Sequence, residues 1–290
     1  MSGLIAAAIA AHVPTLGLAQ NTPDYQQNLV DAEHTLGDAL RALQPDLWVI
    51  VSSHWVATFD WPVGCQPRHT GHCVADEAPQ LLPGSPYDYA GDPEFAGALV
   101  EALGAAGVPS VRNESEHYSW DYGTYVPLHH LDPQARVPVV TLPSVLMASA
   151  DECLRAGAAV HDTARRLGRR AVFVASTALS HVLVRGRSNW PTPERQEADA
   201  RFIERLKTGR IDEAIADFPE YARFVGAEVT LQLHAPHQHE AVEAHRQRVD
   251  HHDRQAGQQH RHRRGGRERE PGEQAARQHR QQHARQRTQP

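Results

Sequence analysis

Three histidines stand just beyond short apolar runs in this 290-residue chain. His12 follows Leu4–Ala10, His54 follows Leu47–Val51 (LWVIV), and His181 follows Ala171–Ala175 (AVFVA). Runs this short, bounded by turn residues, predict buried strands rather than helices. In open α/β sheets, ligands bind beyond the carboxyl ends of the strands. One histidine at a strand end is ordinarily a hydrogen-bonded structural residue; three at one sheet edge make a candidate site. The first 228 residues hold ten histidines, so chance placement is the competing reading. Neutral imidazole is a good ligand for iron and zinc. Two imidazoles and one carboxylate on one face leave open positions, the arrangement of non-haem Fe(II) oxygenases. Carboxylates are plentiful, and spacing alone does not select the third ligand.

The elements that must position these residues alternate along the chain. Tyr25–Leu43 is helical by period, with Leu29, Ala32, Leu36, Leu40 and Leu43 at three- and four-residue steps. Asp92–Ala106 predicts a helix with Pro93 in its first turn and Gly107 as its stop. Asp151–Leu167 predicts another, ending at Gly168, and Thr192–Leu206 and Ile211–Phe218 two more. Val137–Leu142 (VPVVTL) adds a strand. Residues 62–91, dense in proline and other turn residues, read as a long loop region. The expected fold is therefore α/β: a single domain with a mixed or largely parallel central sheet and helices on both faces.

Composition divides the chain near residue 228. Residues 1–228 carry 17 basic and 28 acidic residues, a net −11, whereas residues 229–290 carry 12 and 7, a net +5. The tail also holds 10 of the 20 histidines and 12 glutamines, with no aromatic residue and no aliphatic larger than alanine after Val249. The body can bury a core; the tail cannot. No apolar run approaches the roughly 18 residues of a membrane helix, which excludes that class of membrane protein. The run Leu4–Ala11 lacks a preceding basic residue and leads into His12 and Pro14, so it reads as a first strand rather than a signal peptide. A body at −11 is a poor nucleic-acid binder, so no nucleic-acid partner is expected for it. Cys65, Cys73 and Cys153 form no CxxC pair, which fits a cytoplasmic location.

Five stretches carry a resemblance. They are His12-Val13-Pro14-Thr15, Ser53-His54-Trp55, Asp121-Tyr122-Gly123-Thr124-Tyr125-Val126-Pro127-Leu128, Ala175-Ser176-Thr177-Ala178-Leu179-Ser180-His181, and Pro219-Glu220-Tyr221-Ala222 leading to Gly226-Ala227-Glu228. In this order they resemble the class III extradiol ring-cleavage dioxygenases, above all the 3,4-dihydroxyphenylacetate 2,3-dioxygenase branch, over residues 1–228. The resemblance implies that His12, His54 and Glu228 ligate Fe(II), with Mn(II) or Zn(II) as alternatives. It makes His181 the acid/base residue and puts Tyr122 where many relatives carry a second histidine. It implies cleavage of a catecholic ring by dioxygen beside the diol, giving a muconic semialdehyde, and a homo-oligomer. Two other readings of the same residues are a 2-aminophenol ring-cleaving enzyme and a non-catalytic member of the fold that binds metal or peptide.

Other features have plainer readings. His117, His129 and His130 read as structural or surface residues, and Arg68-His69-Thr70-Gly71-His72-Cys73 as a loop with a free thiol rather than a zinc cluster. Trp55, Trp61 and Trp120 either wall an aromatic pocket or pack a core. The tail at residues 229–290 reads either as a basic His-rich arm for metal or nucleic acid or, as we prefer, as the product of a shifted reading frame after Glu228. On that preferred reading the catalytic domain, residues 1–228, is C-terminally incomplete, and this chain turns over weakly or not at all.

Overall fold

The computed structural model describes residues 2–182 and 190–227. The elements run β1 (Gly3–Ala10), α1 (Gln27–Ala42), β2 (Leu47–Ala57), β3 (Trp61–Gly64), β4 (Arg68–Val74), β5 (Pro83–Ala90), α2 (Pro93–Ala105), β6 (Ser110–Asn113), α3 (Tyr122–Leu131), β7 (Val139–Val145), α4 (Ala150–Arg166), β8 (Arg170–Ser176), α5 (Pro193–Lys207) and α6 (Ile211–Val225). Strands β1, β8, β2 and β7 pair in that order, all parallel, to form the central sheet. The expected α/β fold with helices on both faces is the observed one.

Side chains of successive strand residues point to opposite faces, so each strand feeds two cores. Trp48 and Ile50 of β2, with Val172 and Val174 of β8, join Leu40 of α1 and Leu128 of α3 on one face. Leu47 and Val49, with Ala171, join Phe95 and Leu99 of α2 and Val160 of α4 on the other. Being buried on both faces is why these strands read as continuous apolar runs rather than alternating ones. The helix caps follow the sequence signals: the Asp92 carboxylate accepts from the Phe95 amide, and the Ser149 hydroxyl from Glu152. Helices α5 and α6 pack on each other through Phe202, Phe218 and Tyr221, with the Phe202 and Tyr221 rings stacked at 4.4 Å.

Residues 62–91 are not a long loop. They include most of β3, which pairs with β6, and the antiparallel hairpin of β4 and β5. The prolines there mask a period-two pattern. His69 and Cys73 of β4 and Ser85, Tyr87 and Tyr89 of β5 are buried, while the residues between them are exposed or half-buried. Proline is tolerated at such strand margins because only edge positions lose a ladder bond. All three cysteines are free, Cys65 and Cys73 buried and Cys153 half-buried. No helix among the described residues is long and apolar enough to cross a membrane.

A candidate metal centre at the carboxyl edge of the sheet

His12 lies two residues past β1, and His54 lies within β2. The pairing of β2 with β7 slips between Ser52 and Val56, and Ser53 and His54 fall inside that irregularity. Such breaks in a ladder re-aim side chains next to functional sites. Here the two imidazoles meet: His12 Nε2 lies 3.2 Å from His54 Nε2, with the rings edge to face at 4.9 Å between centroids. Tyr122, the first residue of α3, covers the pair, its ring 4.0 Å from that of His54 and 5.8 Å from that of His12. His12 is buried, only 5% exposed.

The helix that carries Tyr122 is docked by a serine–aspartate network. The Asp121 carboxylate caps α3 by accepting from the Thr124 amide at 3.0 Å, and it also accepts from Ser52 Oγ at 2.5 Å. Ser52 Oγ in turn accepts from the His54 amide at 3.1 Å. One carboxylate therefore ties the start of α3 to the strand segment that carries His54. Gly123 allows the approach: a Cβ there would fall 2.3 Å from Ser52 Oγ.

Each histidine has a neighbour for its second ring nitrogen. His12 Nδ1 is 3.1 Å from Ser176 Oγ at the end of β8, and His54 Nδ1 is 3.9 Å from a Glu77 carboxylate oxygen. Metal-binding histidines are held this way, one nitrogen oriented by a hydroxyl, carbonyl or carboxylate and the other facing the metal. Two nitrogens on adjacent positions of an octahedral ion with bonds near 2.1 Å would be about 3 Å apart. The 3.2 Å separation fits that requirement. Both nitrogens that face each other are thus suited to hold a divalent cation.

A polar cavity of about 370 Å³ opens beside the pair, lined by His54 and Tyr122, by His72, Asp76 and Glu77 of the β4–β5 hairpin, and by Trp120 and Asp121. Trp120 serves both readings given above, since it lines this cavity and is stacked on Tyr87 at 4.6 Å. Trp61 and Trp55 pack, Trp61 in the core of the opposite face and Trp55 against Tyr118.

His181 is five residues beyond β8, its amide donating to the Val225 carbonyl at the end of α6. Gly226 ends α6 in the left-handed region at φ 61° and is followed by Ala227. Glu228 lies outside the described residues, as does the tail at residues 229–290. Among the described residues no three His, Cys, Asp or Glu side chains gather as a metal cluster. His69 Nε2 donates to the Val139 carbonyl at 3.1 Å, and the ring is buried in the core. His130 is buried between His34 and the Leu16 carbonyl; desolvation pushes its pKa down to about 4, so it is neutral. Ser52, Asp121, Glu77 and Ser176 did not stand out in the sequence as functional residues. Ser176 and Asp121 lay within stretches quoted for the resemblance, but nothing local marked what they touch.

A parallel sheet with paired imidazoles beyond its strand ends defines an α/β protein with a ligand site at the sheet edge. Residues 6–237 match the family described as the catalytic LigB subunit of aromatic ring-opening dioxygenase, and the chain belongs to it. It is 23% identical over 246 residues to 3,4-dihydroxyphenylacetate 2,3-dioxygenase of Escherichia coli, covering 77% of this chain and 85% of that one. It is 26% identical over 251 residues to the 2-aminophenol 1,6-dioxygenase beta subunit of a Pseudomonas species, covering 78% and 81%. A solved structure of an uncharacterized protein from Escherichia coli K12 aligns at TM-score 0.46 with 24% identity, covering 61% of this chain and 64% of that one, just under two thirds of its length.

Proposed function

We propose that the protein is an extradiol dioxygenase that opens a catecholic ring of the dihydroxyphenylacetate kind, with Fe(II) held by His12, His54 and Glu228. The observation that supports this most directly is the meeting of two oriented imidazole nitrogens beside a polar cavity. Bound there, the metal would supply a centre that holds the two ring substituents and dioxygen together and activates them. The protein's own residues do the rest. Tyr122 places a phenol over the histidine pair, where it donates a hydrogen bond to the substrate. His181 moves a proton on and off the reacting oxygens, the general acid/base role that imidazole commonly serves. Mn(II) and Zn(II) suit the same ligands.

A second substrate reading has its own support. The described cavity wall carries Asp76, Glu77 and Asp121 and no arginine or lysine. A carboxylated ring gains nothing from that wall, whereas a 2-aminophenol is uncharged near neutral pH. Unbridged cysteines support a cytoplasmic location, and the matched relative named as a beta subunit supports an oligomer.

The tail from residue 229 is proposed to be out of frame, supported by its want of apolar residues. Turnover by this chain is then weak, because an out-of-frame sequence replaces the one that would follow the proposed ligand Glu228. Translation of the gene in its other two frames tests the tail. Anaerobic loading with Fe(II), followed by oxygen uptake with 3,4-dihydroxyphenylacetate, catechol and 2-aminophenol, tests the activity. Silence with all three, in this chain and in a frame-corrected one, would sink the proposal.

A further inference from the structure

A proline within α3 bears on the histidine pair through a chain of contacts. Helical residue i ordinarily donates its amide to the carbonyl of residue i−4, and proline has no amide proton to give. Pro127 lies inside α3, four residues after Gly123, so the Gly123 carbonyl lacks that partner. Ser176 Oγ donates to this carbonyl in a short hydrogen bond. A buried carbonyl released by proline is thereby satisfied by a side chain from another strand.

The same hydroxyl is 3.1 Å from His12 Nδ1. A serine hydroxyl has one proton and two acceptor lone pairs. With its proton committed to Gly123, Ser176 can only accept from His12. His12 must then carry its proton on Nδ1, and its Nε2 presents a lone pair toward His54. Ser176 is fully buried, so water does not compete for these bonds.

We propose that Ser176 is a positioning residue that locks His12 in the Nδ1–H tautomer, and that Pro127 enables the lock by freeing the Gly123 carbonyl. That this tautomer serves metal binding rests on the reading of His12 as a ligand; the lock itself does not. Without the lock, an Nε2–H tautomer must lose its proton before the nitrogen can bind a metal.

Two measurements on the full-length chain test this. In the ¹⁵N-histidine-labelled protein, with the His12 ring assigned by its loss in His12→Gln, His12 is expected to be Nδ1–H. Ser176→Thr, which keeps the hydroxyl, should preserve that state; Ser176→Ala and Pro127→Ala should shift it toward Nε2–H. Co(II) titration followed by visible absorption should show about 10–100-fold weaker binding for Ser176→Ala, as for other lost partners of a ligating histidine, and parent-like binding for Ser176→Thr. An unchanged tautomer in folded Ser176→Ala overturns the lock. An unchanged tautomer in Pro127→Ala alone overturns the role of the proline. If the tautomers shift as expected but His12→Gln binds Co(II) as tightly as the parent, the lock stands and the ligand reading of His12 fails. Should Ser176→Thr misfold, the tautomer in Ser176→Ala decides.

Discussion

The two faces of the parallel sheet are built from alternate residues of the same strands, yet they bury different things. On the α1/α3 face, beyond the apolar core, lie His12, Glu33, Ser52, Thr124, His130 and Ser176, all buried. On the α2/α4 face, directly behind Ser52 and Ser176, lie Val51 and Ala175. They line an apolar cavity of about 170 Å³ with Leu142, Val160 and Phe173. The polar groups at its wall are engaged elsewhere: Ser144 Oγ donates to the Ser52 carbonyl at 2.8 Å, and Trp61 Nε1 to Glu152 at 2.7 Å. One face organises hydrogen bonds around the His12–His54 pair; the other supplies the apolar burial that holds the strands still. A site of this kind requires both, because buried polar networks stabilise little on their own and are costly when half-satisfied.

Substitutions on each face should separate these roles. The largest effect is expected on the polar face. His54→Ala removes one of the two facing nitrogens and should abolish stoichiometric metal uptake, read by elemental analysis, and, in a frame-corrected chain, ring-dependent oxygen consumption, while thermal stability holds. Loss of fold instead would make His54 a packing residue and erase the contrast.

On the apolar face, Leu142→Ala should cost about 2–5 kcal/mol of stability, since it enlarges an existing void. Denaturant unfolding measures it, and the His12 ring signals should stay where they are. A change in the His12 tautomer would show that the faces are not independent.

Glu33 places a buried carboxyl on the polar face. Burial raises its pKa from 4.5 to about 8, against the smaller opposing influence of the Ala11 amide. The folded protein then holds a proton that the unfolded chain releases. Stability from this group is complete below about 4.5 and falls as pH rises toward 8, by at most about 1.4 kcal/mol per pH unit. Glu33→Gln should flatten that decline in a series of unfolding curves from pH 5 to 9. A parallel decline in the variant would mean the carboxyl is ionised in the fold.

The smallest effect is expected at the cavity mouth. The Glu77 side chain is 67% exposed and sits 3.9 Å from His54 Nδ1. An exposed pair of this kind is worth about 0–1 kcal/mol, so Glu77→Gln should weaken Co(II) binding by a few-fold at most. A loss as large as that expected for Ser176→Ala would move Glu77 from the rim into the heart of the site.

Much of the frame was legible in local sequence. The apolar runs at Leu4–Ala10, Leu47–Val51 and Ala171–Ala175 became β1, the core of β2 and β8, and the leucine period at Tyr25–Leu43 became α1. The hairpin of β4 and β5 was hidden because its prolines signalled turns, while its alternation depended on burying Tyr87 and Tyr89 against Trp120, a contact across the chain. His12 and His54 were candidates from the start through their place after apolar runs.

Residue chemistry and local pattern were readable along the chain: imidazoles just after apolar runs, strands apolar enough to be buried on both faces, and a switch to basic, His-rich composition at residue 229. These follow from neighbours in the chain, whose geometry is set by backbone sterics and side-chain volume. Which nitrogens face each other, and which hydroxyl is beside them, follows from how the strands assemble. His12 and Ser176 are 164 residues apart, and Pro127 matters only because β8 brings a hydroxyl to the carbonyl it releases. Hydrogen bonds act over about 3 Å and are blind to sequence distance, so such a network exists only once strand order has been set.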